Sequence, residues 1–153
     1  LINNAALEKV ETLVSDAASK GGKVVAGGKL HALGGTFYEP TLITGGSQTM
    51  RIAREEVFGP VAVLFPFETE ADAIEMANAT EFGLAAYFYT RDLARTFRVS
   101  AGLKYGMVGV NAGIITTEVA PFGGVKDSGV GREGSKYGLD DYLDIKYVSI
   151  GGL

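Results

Sequence analysis

Between positions 61 and 110 the chain passes twice from an apolar run to an amphipathic segment, with only short links between them. Val61-Ala62-Val63-Leu64-Phe65 is apolar without interruption, the pattern of a strand covered on both faces. Thr69-Glu70-Ala71-Asp72 has the form of a capping box, and Ala73, Ile74 and Ala77 then mark one face of a helix that Gly83 ends. Leu84 to Tyr89 reads as a second strand. Thr90-Arg91-Asp92 caps a second helix, with Leu93, Phe97 and Ala101 on its inner face and Gly102 past its end. Met107 to Val110 reads as a third strand. A β-α-β-α-β series with such links requires parallel strands joined by right-handed crossovers. The expected fold class is therefore α/β with a parallel core.

The flanks are read the same way. Residues 4–20 predict a helix, because Leu7, Val10, Val14 and Ala17 form one apolar stripe. Asn3 or Asn4 can cap its start, and Gly21-Gly22 stops it. Val24-Val25-Ala26 is a short strand, and residues 27–35 are a Gly-rich turn. The stretch from Phe37 to Ile43 is strand-like, but Pro40 has no N–H for a ladder, so an edge strand or irregular arm is expected. Arg132 to Tyr142 reads as a mixed turn or short helix. Residues 142–150 predict a last strand, with Leu143, Ile145 and Tyr147 on one face and Asp144 and Lys146 on the other.

Composition removes several classes of function. The net charge is −4 and no basic run occurs, so a nucleic-acid partner is not expected. No apolar stretch reaches the ~20 residues that cross a bilayer, so no membrane partner is expected. Cysteine is absent, which excludes a disulfide scaffold and a thiolate metal site. The chain opens on Leu1-Ile2-Asn3-Asn4 rather than Met, as expected of a piece of a longer chain. No charged-then-apolar leader is visible, so export is not expected and a cytoplasmic setting is the default.

Ligands of open parallel sheets bind outside the carboxyl ends of the strands. Asn111 and the loop 112–128 leave the third strand at that end, so a site is expected there. Thr116-Thr117 offer two hydroxyls in that loop, for ordinary turn chemistry or for a substrate carboxylate or carbonyl. Glu56 and Phe58 stand just before the Gly59-Pro60 break. They can be a solvated carboxylate and a packing aromatic. Equally, a carboxylate accepts hydrogen bonds from the two hydroxyls of a ribose, and an aromatic face two residues on can hold a nicotinamide ring. Gly129-Val130-Gly131-Arg132-Glu133-Gly134 matches G-x-G-x-x-G. No apolar strand feeds it and no acidic residue follows at the ribose-binding distance, so it reads as a Gly-rich turn. Ser128 lacks the G-x-S-x-G elbow. His31 is the only histidine, lies in a turn and is assigned no role, and no metal site is expected.

Glu55-Glu56-Val57-Phe58-Gly59-Pro60, Gly83-Leu84-Ala85-Ala86, Gly109-Val110-Asn111 and Pro121-Phe122-Gly123-Gly124-Val125-Lys126-Asp127-Ser128-Gly129 together resemble the aldehyde dehydrogenase superfamily, over essentially the whole chain. The run from Gly131 to Gly138, followed by Asp141-Tyr142-Leu143-Asp144-Ile145-Lys146-Tyr147, is similar to the succinate-semialdehyde dehydrogenases within it. The resemblance implies a parallel β-α-β-α-β core of a catalytic domain. It assigns residues 1–140 to the C-terminal portion of that domain and 141–153 to an oligomerisation strand and tail. It implies NAD or NADP as cofactor, an aldehyde as substrate, and a homodimer or homotetramer completed by the missing N-terminal part.

Roles follow by resemblance residue by residue. Glu56 matches a glutamate that binds the nicotinamide ribose, and Phe58 the aromatic beside it. Phe122 matches a substrate-pocket aromatic, and Thr116 falls where a serine hydroxyl meets the substrate carboxylate in some relatives. Glu133 matches a glutamate near the active-site base, in a supporting role. In the implied chemistry a thiolate attacks the aldehyde carbon, hydride leaves to NAD(P)+, and a base-activated water hydrolyses the thioester. The nucleophilic cysteine and the base are expected upstream, so no catalytic residue is expected in this chain. Two alternatives stay open, a non-catalytic assembly module and an aldehyde dehydrogenase part with another substrate.

Overall fold

A computed structural model describes residues 1–152. The chain divides into two compact units, Leu1–Thr69 and Glu70–Leu153.

The first unit is built on α1 (Asn4–Ser19). The Asn3 carboxamide oxygen accepts the Ala6 N–H at 2.9 Å and supplies the N-cap. At the other end Gly21 turns left-handed (φ 94°), its N–H reaches the Ala18 carbonyl, and the Gly22 N–H reaches the Ala17 carbonyl at 2.9 Å. This paired closure satisfies carbonyls that the last turn leaves open. The stripe expected on α1 is buried, and Leu13 joins it. Val10, Leu13, Ile43 and Met50 are the large side chains fully withdrawn from water. Burying each such side chain contributes roughly 1.5–3 kcal/mol. Asp16 ties the helix down: it pairs with Lys20 at 2.8 Å and accepts the Arg51 N–H at 2.8 Å.

A three-stranded sheet packs on this helix in the order β1 (Lys23–Ala26), β2 (Thr41–Thr44), β3 (Val61–Val63). β1 and β2 are antiparallel, β2 and β3 parallel. The expected edge strand over 37–43 is corrected. Residues 37–40 are the irregular arm, joined to 29–31 by an isolated bridge between Leu30 and Tyr38. The resulting β2 is central, and the continuous ladder begins after Pro40 because it excludes the residue without an N–H. The next residue opens it, with the Thr41 N–H on the Pro60 carbonyl at 2.8 Å. β3 is shorter than its apolar run and ends the strand order of its sheet. Ala62 and Leu64 are exposed in this unit, contrary to the expected cover on both faces.

The second unit contains α2 (Glu70–Asn78), β4 (Ala85–Phe88), α3 (Leu93–Gly102) and β5 (Met107–Val110). β4 and β5 pair in parallel across the α3 crossover, with Ala85 opposite Met107 and Phe88 opposite Val110. The α/β class and the parallel pairing are as the sequence predicts. β3, read as the first strand of the same series, pairs with β2 instead. Asp92 caps α3 by accepting the Arg95 N–H at 3.1 Å. The inner face of α3 is corrected: Leu93 and Phe97 are 71% and 69% exposed, and Val99 is the buried residue. Residues 136–142 form a 3₁₀ helix, in keeping with the short helix expected there. Residues 143–150 are exposed and pair with no other strand among the described residues, so the expected terminal strand is not formed within the chain.

Glu70, at the start of α2, links it to α3. Arg98 Nε lies 2.9 Å and Arg95 Nε 2.8 Å from its carboxylate oxygens. Hydrogen bonds from Arg98, then Arg95, pull the carboxyl from 4.5 down to about 2. A depressed folded value means the pair stabilises fully above the ordinary carboxylate range and is lost as pH falls from 4.5 toward 2. Thermal midpoints measured across that window should fall more steeply for the wild-type chain than for Glu70→Gln. Parallel curves would show that the two arginines do not stabilise the fold through this charge.

Candidate functional site

The loop leaving β5 starts from a side chain that behaves as backbone. Asn111 sits left-handed (φ 54°), its Oδ1 accepts the Thr90 N–H at 2.8 Å, and its Nδ2 donates to the Thr90 carbonyl at 2.7 Å. The parallel ladder is thereby carried one step past Phe88. Thr116, further along, is exposed and makes no hydrogen bond among the described residues.

Phe122 is placed by a two-residue antiparallel bridge with Glu133. The Phe122 N–H donates to the Glu133 carbonyl at 2.9 Å, and the Glu133 N–H returns to Phe122 at 2.7 Å. Phe122 is half-buried and Glu133 exposed. Both line a cavity of about 590 Å³, with Ser128, Arg132, Asp141, Tyr142 and the intervening glycine backbone. The structure thus brings Phe122 and Glu133 together, and Thr116 is not part of that lining. The glycine pattern 129–134 opens no helix. Gly129, Gly131 and Gly134 all have positive φ and form part of the cavity wall, as a Gly-rich turn.

Three polar residues that sequence reasoning gave no role hold this loop. Arg132 Nη1 donates to the carbonyls of Gly124 and Gly131 at 2.8 and 2.6 Å, and the Arg132 N–H meets Asp141 Oδ2 at 3.2 Å. Ser128 Oγ accepts the Gly83 N–H at 2.9 Å, so its hydroxyl is a structural acceptor. Lys126 donates to three backbone carbonyls. All these partners are backbone groups or lie many positions away, so no local pattern announces them.

In the first unit the predicted cofactor residues share one loop. Of the two adjacent glutamates, Glu55 is taken by Arg51, whose Nε and Nη2 lie 2.6 and 2.9 Å from its oxygens. That bond holds the Glu55 carboxyl below its usual range. Glu56 is exposed and has no hydrogen-bond or ionic partner among the described residues. Phe58 is 79% exposed and left-handed (φ 48°). An aromatic in that backbone region is strained, and such strain gathers at ligand clamps. Gly59 lies against Val10 of α1, where a side chain would collide, and this anchors the loop. A free carboxylate and an open ring two residues apart fit a ribose and the flat ring joined to it. His31 Nδ1 accepts the Leu33 N–H, a turn contact. Among the described residues no cluster could hold a metal ion, and no helix is long and apolar enough to cross a membrane.

The chain is 61% identical over its whole length to a mitochondrial succinate-semialdehyde dehydrogenase of Oryza sativa. It is 60% identical to a glutarate-semialdehyde dehydrogenase of Pseudomonas aeruginosa, and 58% to a 3-sulfolactaldehyde dehydrogenase of Pseudomonas putida. It covers 29%, 32% and 32% of these proteins, so it spans about a third of the curated relatives it matches. Among solved structures, an E. coli NADP-dependent enzyme superposes with a TM-score of 0.96 at 58% identity, over 99% of this chain and 31% of that one. A betaine aldehyde dehydrogenase of Staphylococcus aureus, solved with NAD+, superposes at 0.87 with 40% identity, over 94% of this chain and 30% of that one. The expected cytoplasmic setting is corrected. It rested only on missing signals, and the rice, Arabidopsis and human relatives are mitochondrial enzymes by name. The α/β arrangement recurs in those solved structures, residues 1–148 match the aldehyde dehydrogenase family, and to that family the chain belongs.

Proposed function

We propose that the chain is the C-terminal catalytic-domain part of an NAD(P)-dependent aldehyde dehydrogenase that oxidises succinate semialdehyde to succinate. The observation that carries this reading is the 57–61% identity, across the whole chain, to succinate-semialdehyde dehydrogenases of rice, Arabidopsis and human. The glutarate-semialdehyde and 3-sulfolactaldehyde relatives fit the same frame, since each of those aldehydes also carries an anionic group.

The nicotinamide cofactor, when bound, supplies the hydride acceptor. This chain's own residues bind and orient. The free Glu56 carboxylate accepts hydrogen bonds from the ribose hydroxyls, and the Phe58 ring packs beside the nicotinamide. Phe122 forms an apolar wall for the aldehyde carbon chain and keeps water from it. The Thr116 hydroxyl donates to the substrate carboxylate. Glu133, held beside Phe122 by the backbone bridge, supports that wall. Within the tail 141–153, a strand over 142–150 adds to the sheet of a partner subunit, and the complete enzyme is a homodimer or homotetramer.

One kinetic experiment on the complete enzyme tests the assignments. Thr116→Val keeps the shape and removes the hydroxyl, and should cost about 1–3 kcal/mol in kcat/KM for succinate semialdehyde. Butanal, without a carboxylate, should lose much less. Glu56→Gln in the same assay should weaken NAD(P)+ binding for both aldehydes alike, since charge-assisted bonds are roughly twice as strong as neutral ones. Equal losses with the two aldehydes on Thr116→Val would remove the carboxylate contact, and a complete enzyme that oxidises butanal as efficiently as succinate semialdehyde would remove the substrate assignment.

A further inference from the structure

We propose that Lys126 is a positioning residue for the pocket wall at Phe122, acting as a clip that fixes the loop behind it. The inference rests on the reading of Phe122 as a substrate contact.

An exposed lysine ordinarily spends its three ammonium donors on water. Lys126 spends them on protein backbone. Its Nζ lies 2.8 Å from the Thr80 carbonyl, 3.1 Å from that of Phe82 and 3.2 Å from that of Asn78. These carbonyls belong to the last residue of α2 and the turn after it, where the helix dipole is negative and carbonyls lack helical partners. The Tyr105 ring flanks the ammonium, 5.7 Å from centroid to Nζ, and the Tyr105 hydroxyl donates to the Ala77 carbonyl at 2.6 Å. A side chain some forty-five positions downstream thus closes the end of α2.

The backbone at Lys126 supports a purpose for this contact. Its φ is +57°, a region where a side chain is strained and glycine is favoured. A lysine there gives up backbone comfort, and its three carbonyl bonds offset the strain. The neighbouring residues are fastened to the same turn. The Val125 N–H meets the Gly83 carbonyl and the Asp127 N–H the Glu81 carbonyl, both at 3.0 Å.

Gly123, Gly124 and Val125 separate Lys126 from Phe122, and Val125 is itself fastened to the Gly83 carbonyl. Two glycines would be a free hinge, but here both are held. Gly106 lies directly under the Gly123 carbonyl, with no room for even a methyl group between them. Arg132 grips the Gly124 carbonyl. Beyond the hinge, the bridge to Glu133 holds Phe122. The pair of glycines is therefore clamped at both ends, by the bridge on one side and by the segment Val125-Lys126-Asp127 on the other, whose side-chain anchor is Lys126. Releasing Lys126 lets the wall drift while the chemistry elsewhere is untouched.

The test compares Lys126→Met, Lys126→Gly, Lys126→Arg and Phe122→Ala in the complete enzyme. Lys126→Met should raise KM for succinate semialdehyde by about ten-fold, because a displaced apolar wall removes binding that ground state and transition state share. kcat per active site should stay within a small factor, and the dissociation constant for NAD(P)+ should not move. Lys126→Arg should recover most of KM. Lys126→Gly relieves the left-handed backbone, so its thermal midpoint should lie above that of Lys126→Met while its KM is no better. If KM instead tracks thermal midpoint across the three variants, or if Lys126→Met alters only the fraction of active enzyme, Lys126 is merely structural and the inference is overturned. If Lys126→Met does not fold, Lys126→Gly and Lys126→Arg carry the same comparison. Phe122→Ala separates the two readings. An unchanged KM there rejects Phe122 as a pocket wall, whereas a raised KM beside a normal Lys126→Met rejects the clip alone.

Discussion

The purified 153-residue chain, given succinate semialdehyde with NAD+ or NADP+, is expected to yield no reduced nucleotide. Oxidation of an aldehyde in this family's manner begins with a nucleophile adding to the carbonyl, and the sequence contains no cysteine to do so. The two hydroxyls singled out in the site loop are not activated. Ser128 uses its oxygen to accept the Gly83 N–H, and Thr116 has no partner that could take its proton. The only histidine already accepts a backbone N–H in its own turn. Enzymes accelerate their reactions at least about a million-fold, so the difference between catalysis and none is easily read in nicotinamide fluorescence. Aldehyde-dependent fluorescence that copurifies with the chain would overturn the division of labour in which it binds and orients but does not initiate.

The second large effect concerns assembly. Deleting residues 142–153 from the complete enzyme should abolish its native oligomer, so that sedimentation reports monomer or aggregate. The exposure and patterning of this segment motivate the expectation. Leu143 is 65% exposed, Ile145 101% and Tyr147 88%, and Asp144 and Lys146 alternate with them. The backbone from 143 to 150 has no strand partner among the described residues. A segment with one apolar face and an open row of donors and acceptors gains most by joining another sheet edge. If the truncated enzyme sediments as the intact one, the strand is not the connector.

How far the sequence could be read depended on the range of the interaction. α1 was legible throughout, since its stripe, its Asn3 cap and its Gly21-Gly22 stop lie within a few residues of one another. α3 was legible as a helix but not in its orientation. Its apolar positions suggested an inner face through Leu93 and Phe97, yet both are exposed, and the helix is tied instead through Arg95 and Arg98 to Glu70, twenty-five and twenty-eight positions away. β3 was legible as a strand, but neighbours in a sheet are a tertiary choice, and it joined β2. Among the residues proposed for function, Glu56, Phe58 and Phe122 were reached through motif resemblance. Lys126, Ser128 and Arg132 were not, because each bonds to backbone, and every residue type offers the same carbonyl and amide to such a side chain.

Asn111 carries a further consequence for what this fold tolerates. A carboxamide presents one donor and one acceptor with nearly the spacing of a peptide unit, and Asn111 uses both on Thr90. It therefore counts as a missing rung supplied by a side chain. Aspartate at that position would set a second acceptor against the Thr90 carbonyl, and leucine would leave both Thr90 groups bare. The mouth between the two parallel strand ends, where the site loop begins, is thus kept at a fixed width by the chemistry of a single amide. Variation in the loop beyond it can reshape the pocket without spreading the strands beneath.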